Sequence, residues 1–352
     1  YGISTNVWDG LSTASVSETL IGGIVRPQKS ETWEAGLAQT FFQKRLNVDL
    51  AYYHKLESDF IINGGVSEST GYKSIQTNSK EQRLRTGVEL VVGGTPLQTK
   101  DFSWNTTLSV TWSKEKIEKL PDGDLISENL FVGHSIKSIY GYKYTGIWGT
   151  NTPQDILEAY GVKPGFIQIE TLEKDGDGGV HKYSTNDRQV LGHTNPDWIV
   201  GLNNTFTYKN FDLSVFAMAR YGQTINSDLL GYYTAEQSVT TNQLAGADYW
   251  TENNQGAYYP APGTGSEQST VISALRVRDG SFIKVKNITL GYTFPVNISR
   301  KALMEKCRIY ATAYNPFIYV KDKQLKGTDP ETNGSDAFPT FRQFVFGVNL
   351  TF

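Results

Sequence analysis

The sequence predicts an all-β chain: a transmembrane antiparallel β-barrel, or part of a large one. Three observations carry this. Apolar residues recur at every second position in stretch after stretch, the links between the stretches alternate between short and long, and the last stretch, "FVFGVNLTF", alternates up to a final phenylalanine. Period-two alternation marks a strand with two unlike faces. A sheet in a membrane shows one face to lipid and the other to a wet lumen.

The strands follow in order. Residues 31–41 form the first, and 46–62 the second, with Leu46, Val48, Leu50 and Tyr52 opposite Asn47, Asp49 and Ala51. Residues 80–94 are the third. In the fourth, 102–117, Trp104, Thr106, Leu108, Val110 and Trp112 share a face. Residues 196–208 place Trp198, Val200, Leu202, Phe206 and Tyr208 together, with Asn204 out of place. Residues 211–222 align Phe211, Leu213, Val215, Ala217, Ala219 and Tyr221. In 281–294, Ile288, Leu290, Tyr292 and Phe294 agree in phase while Ile283 and Val285 do not, which predicts a bulge near Asn287. Residues 306–315 and 341–352 complete nine strands, and 134–148 holds material for one more. Short helical turns are expected at 240–250 and 299–306.

The links are short at 41–46, 94–102, 208–211 and 294–306, and long at 62–80, 117–196, 222–281 and 315–341. An outer-membrane barrel has short turns on one side and long loops on the other. A soluble sandwich has no reason to gather its long loops at one end. Trp104 and Trp112 add a length: eight residues at ~3.3 Å each, tilted ~40°, span roughly 20 Å of membrane normal. The competing reading of this one strand is a sandwich strand with aromatics in its core.

Composition agrees. Twenty Tyr, 17 Phe, 7 Trp and 34 Gly in 352 residues suit a β chain with many turns. The 33 basic and 36 acidic residues leave a net charge of −3, which gives nucleic acid no electrostatic footing. One cysteine, Cys307, excludes an internal disulfide. No run approaches the ~20 apolar residues of a membrane helix, and the negative mean hydropathy is what a barrel shows, since lipid meets only alternate residues. No signal peptide is visible at "YGISTNVWDG", so a mature chain or a piece of one is expected.

Six blocks, in order, resemble the SusC/RagA family of TonB-dependent outer-membrane transporters. They are "VRPQKSETWEAGLAQTFFQKRLNVDLAYYHKLESDFI", "RTGVELVVGGTPLQTKDFSWNTTLSVTWSKEKI", "VGHSIKSIYGYKYTGIW", "VLGHTNPDWIVGLNNTFTYKNFDLSVFAMARYG", "RDGSFIKVKNITLGYTFP" and "GTDPETNGSDAFPTFRQFVFGVNLTF". The resemblance implies the C-terminal portion of a 22-stranded barrel with long extracellular loops, in the bacterial outer membrane. It implies a plug, a SusD-like lipoprotein partner and energy from TonB, and a final aromatic-ended strand read by the barrel-insertion machinery. The plug and the TonB-contacting segment are not visible in these residues. The expected arrangement is 1–30 as an extracellular loop segment and 31–352 as barrel strands in the lipid bilayer, with long loops at about 117–196, 222–281 and 315–341. A second polypeptide, or an upstream part of the same one, is then expected to supply the plug and the remaining strands.

Candidate chemistry is sparse. In "EKDGDGGV", Glu173, Asp175 and Asp177 stand at alternate positions before Gly178, like the first half of a calcium loop. The twelfth position is Ser184 rather than Glu, so a solvated acidic turn is the first reading and calcium the second. "GHSIK" (133–137) begins like a nucleophile elbow but has Lys137 where glycine is required, and reads as a strand entrance. His181 and His193 lack a paired carboxylate, and "GTDPETNGSD" is turn chemistry. Asn47, Asp49, Asn105, Thr107, Ser109, Thr111, Asp212, Ser214, Arg220, Asn349 and Thr351 are expected to face the lumen. No catalytic, cofactor or metal residues are assigned and no enzyme is expected. The expected function is import of a polar oligomer, a glycan or a peptide. The alternatives are a passive porin or secretion channel and, in another class, a soluble β-rich adhesin or lectin.

Overall fold

The structure, a computed structural model, describes residues 3–8, 11–16, 19–172, 182–232, 246–263, 268–335 and 340–352. Nine strands form one sheet: β1 (Lys29–Phe41), β2 (Leu46–Ser58), β3 (Gln82–Gln98), β4 (Phe102–Lys119), β5 (Trp198–Tyr208), β6 (Phe211–Tyr221), β7 (Phe282–Thr293), β8 (Lys306–Val320) and β9 (Gln343–Thr351). Each lies beside its neighbour in sequence, so the sheet is a simple meander with β1 and β9 at its ends. Among the described residues no pairing joins those two ends. The strands agree with the expected ones to a few residues. The expected second strand, 46–62, stops at Ser58, and its last two residues open a separate strand, Ile61–Gly65, in a small sheet of its own.

Contacts divide the chain into two units. The larger comprises residues 37–50, 89–112 and 137–352. Its register sorts the side chains. Trp112 lies opposite Trp198, which lies opposite Tyr221; at the other end Phe102, Tyr208, Phe211 and Tyr292 form a continuous row. The ten steps from Trp198 to Tyr208 cover roughly 25 Å of membrane normal, the height of a lipid-facing band between aromatic girdles. Val200, Leu202, Leu213 and Leu290 lie between these rows on the same face, and Ile309 and Val348 continue the second row beyond Tyr292. Phe346 is 80% exposed and Phe344 67%. A large side chain left in water forgoes about 1.5–3 kcal/mol of burial, so this face calls for lipid. Cys307 is on it, opposite Leu350.

Two irregularities have physical causes. Asn204, the polar residue on the apolar face, accepts a hydrogen bond from the Trp104 indole N–H at 2.9 Å, which gives its oxygen a partner away from water. The expected bulge is present: Lys286 is skipped in both ladders, so Ile283 and Val285 return to the face of Ile288. Opposite it, Asn315 and Pro316 are also skipped, Asn315 with φ +50°. Asn-Pro reads as a turn in sequence, yet proline is tolerated at a bulge, and β8 continues to Val320 instead of stopping at 315.

The long links are not structureless. Residues from three of them, including Tyr142, Ile167, Ile169, Ile225, Tyr258, Leu275 and Leu325, form a buried core of their own. The 134–148 stretch yields two short strands, Ser138–Gly141 and Tyr144–Ile147, paired outside the main sheet. A helix not expected from sequence, α1 (Gln154–Tyr160), buries Leu157 against Trp148 and Phe166 and ends on Gly161, whose φ of +66° suits glycine. Residues 246–250 are not helical, whereas Val296–Ser299 and Arg300–Ala302 are short helical turns.

The smaller unit, residues 1–36, 51–88 and 113–136, holds a hairpin of Ile3–Trp8 with Leu11–Val16. It also holds a three-stranded sheet in which Thr19–Ile21 and Ile61–Gly65 flank Ser74–Asn78. Among the described residues no helix is long and apolar enough to cross a membrane, which says nothing about crossing by strands.

Candidate binding site

The polar face of the larger unit carries Asn105, Thr107, Ser109 and Thr111 in register with Thr205, Asn203, Gly201 and Ile199. Ser214 and Asp212 continue it on β6, and Asn349 lies opposite Arg308. Ile199, Phe216 and Met218 interrupt its polarity. Arg308 grips Asp212 with two hydrogen bonds, Nε to Oδ1 at 2.9 Å and Nη2 to Oδ2 at 2.5 Å, and its guanidinium lies 5.2 Å from the Tyr310 ring. A Cβ on Gly347 would collide with the Tyr310 ring, and one on Gly291 with Arg308 and Asp212.

At the long-link end of the sheet is a cavity of ≈ 620 Å³. Three cations (Lys143, Arg278, Lys321) and three carboxylates (Asp197, Asp279, Asp322) line it, with Tyr142, Tyr144, Tyr221, Gln189 and Gln223. Most charges are matched. Lys321 meets Asp279 at 2.6 Å and Lys143 meets Glu170 at 3.2 Å. Burial pushes the Asp279 carboxyl up, but hydrogen bonds from Lys321 and Ser281 outweigh it and hold the group below the usual range. Arg278 is held differently. Its guanidinium lies 4.2 Å from the Tyr258 ring and 5.6 Å from that of Tyr144, with Asp322 at 3.6 Å. The two rings are fixed in turn: the Tyr144 hydroxyl donates to the Tyr258 carbonyl at 3.0 Å and that of Tyr258 to the Leu275 carbonyl at 2.6 Å. Burial raises the Tyr144 phenol to about 12, against the opposing charge of Arg278.

β7 also anchors the turn at 329–331, which meets the cavity lining at Gln223. Lys284, 2% exposed, donates to Asp329 at 2.5 Å and to Glu331 at 2.8 Å; Lys286 donates to both oxygens of Glu331, at 2.8 and 2.9 Å. Lys286 is the bulged residue, without a ladder partner in either neighbouring strand, and it shares the Glu331 carboxylate with Lys284. Asp329 also accepts from the Glu331 N–H at 3.1 Å, capping the turn Pro330–Thr332. Gln223, 1% exposed, donates to the Gly280 carbonyl at 2.7 Å and the Pro330 carbonyl at 3.5 Å.

The residues singled out in sequence are scattered. Glu173, Asp175, Asp177 and His181 lie outside the described residues. Among the described residues no cluster of three His, Cys, Asp or Glu could hold a metal. "GHSIK" runs directly into Ser138–Gly141, as a strand entrance does. His193 hydrogen-bonds the Asn195 carbonyl at 2.6 Å and, contrary to the expectation that it has no carboxylate beside it, faces Asp197, four residues on, at 3.7 Å. "GTDPETNGSD" supplies turns, and also the two carboxylates that hold the buried lysine. Sequence reasoning missed that pairing and missed Arg278. The signal present was "RDGSFIKVKN", where two lysines interrupt an otherwise apolar strand.

A meander with one aromatic-rimmed apolar face, one polar face and folded loops at one end defines the class of outer-membrane β-barrels. The profile of the family described as TonB dependent receptor-like, beta-barrel, matches residues 11–315. The chain belongs to that family and corresponds to the C-terminal part of such a barrel. It is 28% identical over 356 residues to TonB-dependent receptor P3 of Formosa agariphila, with 92% of this chain and 34% of that protein covered. To TonB-dependent receptor SusC of Bacteroides thetaiotaomicron it is 27% identical over 335 residues, covering 92% and 32%. Among solved structures it superposes on the RagAB peptide importer in the open-open state with a TM-score of 0.77 at 21% identity, covering 99% of this chain and 37% of that one. The chain thus spans about a third of the length of the curated relatives it matches.

Proposed function

We propose that this chain is part of an outer-membrane transporter that imports a polar oligomer, a glycan or a peptide, with energy delivered through TonB and a SusD-like lipoprotein closing over its outer mouth. The observation that carries this is a lipid-suited sheet with a polar second face and, at its long-link end, a charged and aromatic cavity. Family membership supports the TonB coupling, and the likeness to SusC and to a peptide importer supports the lipoprotein partner and the class of cargo. The long links are then extracellular, residues 1–30 belong to an extracellular segment, and TonB is contacted through residues outside these 352. The unpaired edges of β1 and β9 require partners, because lipid satisfies no backbone N–H or C=O. Another part of the same protein, or a second polypeptide, supplies those strands and the plug. No cofactor or catalytic residue enters this reading. A soluble adhesin or lectin would have no use for the exposed apolar face.

The test is uptake of fluorescently tagged oligosaccharides and oligopeptides by cells carrying the full-length transporter, with and without TonB. Uptake of one tagged class is expected to fall to background without TonB. Uptake that persists unchanged would instead favour a passive porin.

A further inference from the structure

We propose that Arg278 is a carboxylate-binding residue of the 620 Å³ cavity, so that the cargo is anchored there by an acidic group. This rests on the import reading in taking the cavity as a cargo site.

Arg278 differs from the other cations of the lining. Lys321 and Lys143 each have a carboxylate within hydrogen-bond distance. Among the described residues the carboxylate that Arg278 meets is Asp322, at 3.6 Å from Nε, too far for a hydrogen bond. Its Nε is buried and, among the described residues, has no hydrogen-bond partner. Asp322 is partly committed elsewhere, since its Oδ1 accepts from the Gln324 N–H at 2.9 Å. The side chain is 16% exposed, and its guanidinium carbon lies 4.2 Å from the Tyr258 ring and 5.6 Å from that of Tyr144. Contact with aromatic rings uses none of the guanidinium N–H donors, and their rigid fork matches the two oxygens of a carboxylate. The rings are themselves pinned by hydrogen bonds, so the arginine is oriented before a ligand arrives. A buried donor without a partner is costly and calls for an acceptor. The chemistry fixes a carboxylate; a uronic acid of a glycan and the C-terminus of a peptide both offer one.

The test measures binding to the purified full-length transporter in detergent. The probes are trigalacturonate against its methyl ester, and tetra-alanine against its C-terminal amide. In the wild type one acid should bind roughly ten- to a hundredfold more tightly than its neutral partner, as expected for a charge-assisted pair; which acid does so identifies the source. Arg278→Gln should abolish that preference while the neutral probe binds as before, which also reports that the variant is folded. Asp322→Asn keeps the capping oxygen but removes the competing charge, and should tighten the acid several-fold. The proposal is overturned if neither acid is preferred, whether both forms bind or neither does. It is equally overturned if the preference survives Arg278→Gln or Asp322→Asn leaves the acid no tighter. TonB-independent uptake would overturn the import reading and leave these comparisons intact.

Discussion

Gly347 lies opposite Tyr310, and the backbone there leaves no room for a Cβ beside that ring. Tyr310 in turn flanks Arg308, which is committed to Asp212 across the sheet. A methyl at 347 must push the ring aside, and overpacking of this kind costs about 1–3 kcal/mol. Gly347→Ala should therefore lower the temperature at which the full-length barrel unfolds, read from the heat-dependent mobility of the protein on a gel. A conservative change elsewhere on β9, such as Val345→Ile, serves as the reference; equal behaviour of the two would remove the packing role assigned to Gly347. In sequence, Gly347 is only a small residue at a polar-face position. Alternation located the face, but the reason for glycine depends on Tyr310, 37 positions away by the ladder of β8 and β9.

The turn 327–335 shows the same limit for an element. Its composition announces a turn, and Asp329 and Asn333 serve it as sequence suggests, one as a cap and one in the left-handed region. Nothing local says that Asp329 and Glu331 also hold Lys284, because that contact spans more than forty residues. Removing one partner of a buried ion pair costs about 3–5 kcal/mol, so the turn should be among the better protected segments outside the strands. Burial raises the Glu331 carboxyl, but the hydrogen bonds from Lys284 and Lys286 outweigh this and hold it below its usual range. A depressed pKa stabilises the folded turn fully above the unfolded value of about 4.3 and loses that contribution as pH falls through the folded value. Amide exchange in 327–335 should accordingly be slow at pH 7 and accelerate below about pH 4.3, relative to β8 as an internal reference. Glu331→Gln should exchange fast at both pH values. A pH-independent rate in the wild type would count against the anchor.

At the scale of the whole molecule, nearly all of the main sheet was legible, because lipid on one side and water on the other force a strict period of two. The tight turn at Lys209 and Asn210 and the bulge near Asn287 were legible for the same reason: each breaks or resets that period. The loop core was not. Tyr142, Ile167, Ile225, Leu275 and Leu325 come from separate links with no shared period, and only the folded chain brings them together. The cavity inherits that difficulty, since Arg278, Lys321 and Tyr144 belong to three different links or strand ends. The central claim is that one face of this sheet meets lipid and the other a wet lumen. Nitroxide labels placed singly at 343–351 in the full-length protein, with Cys307 replaced by serine and reconstituted into bilayers, test it directly. Collision with oxygen, which concentrates in lipid, should peak at 344, 346, 348 and 350 and fall at 345, 347 and 349. Oxygen accessibility without a period of two, or the same four positions colliding mainly with a water-soluble nickel chelate, would contradict it.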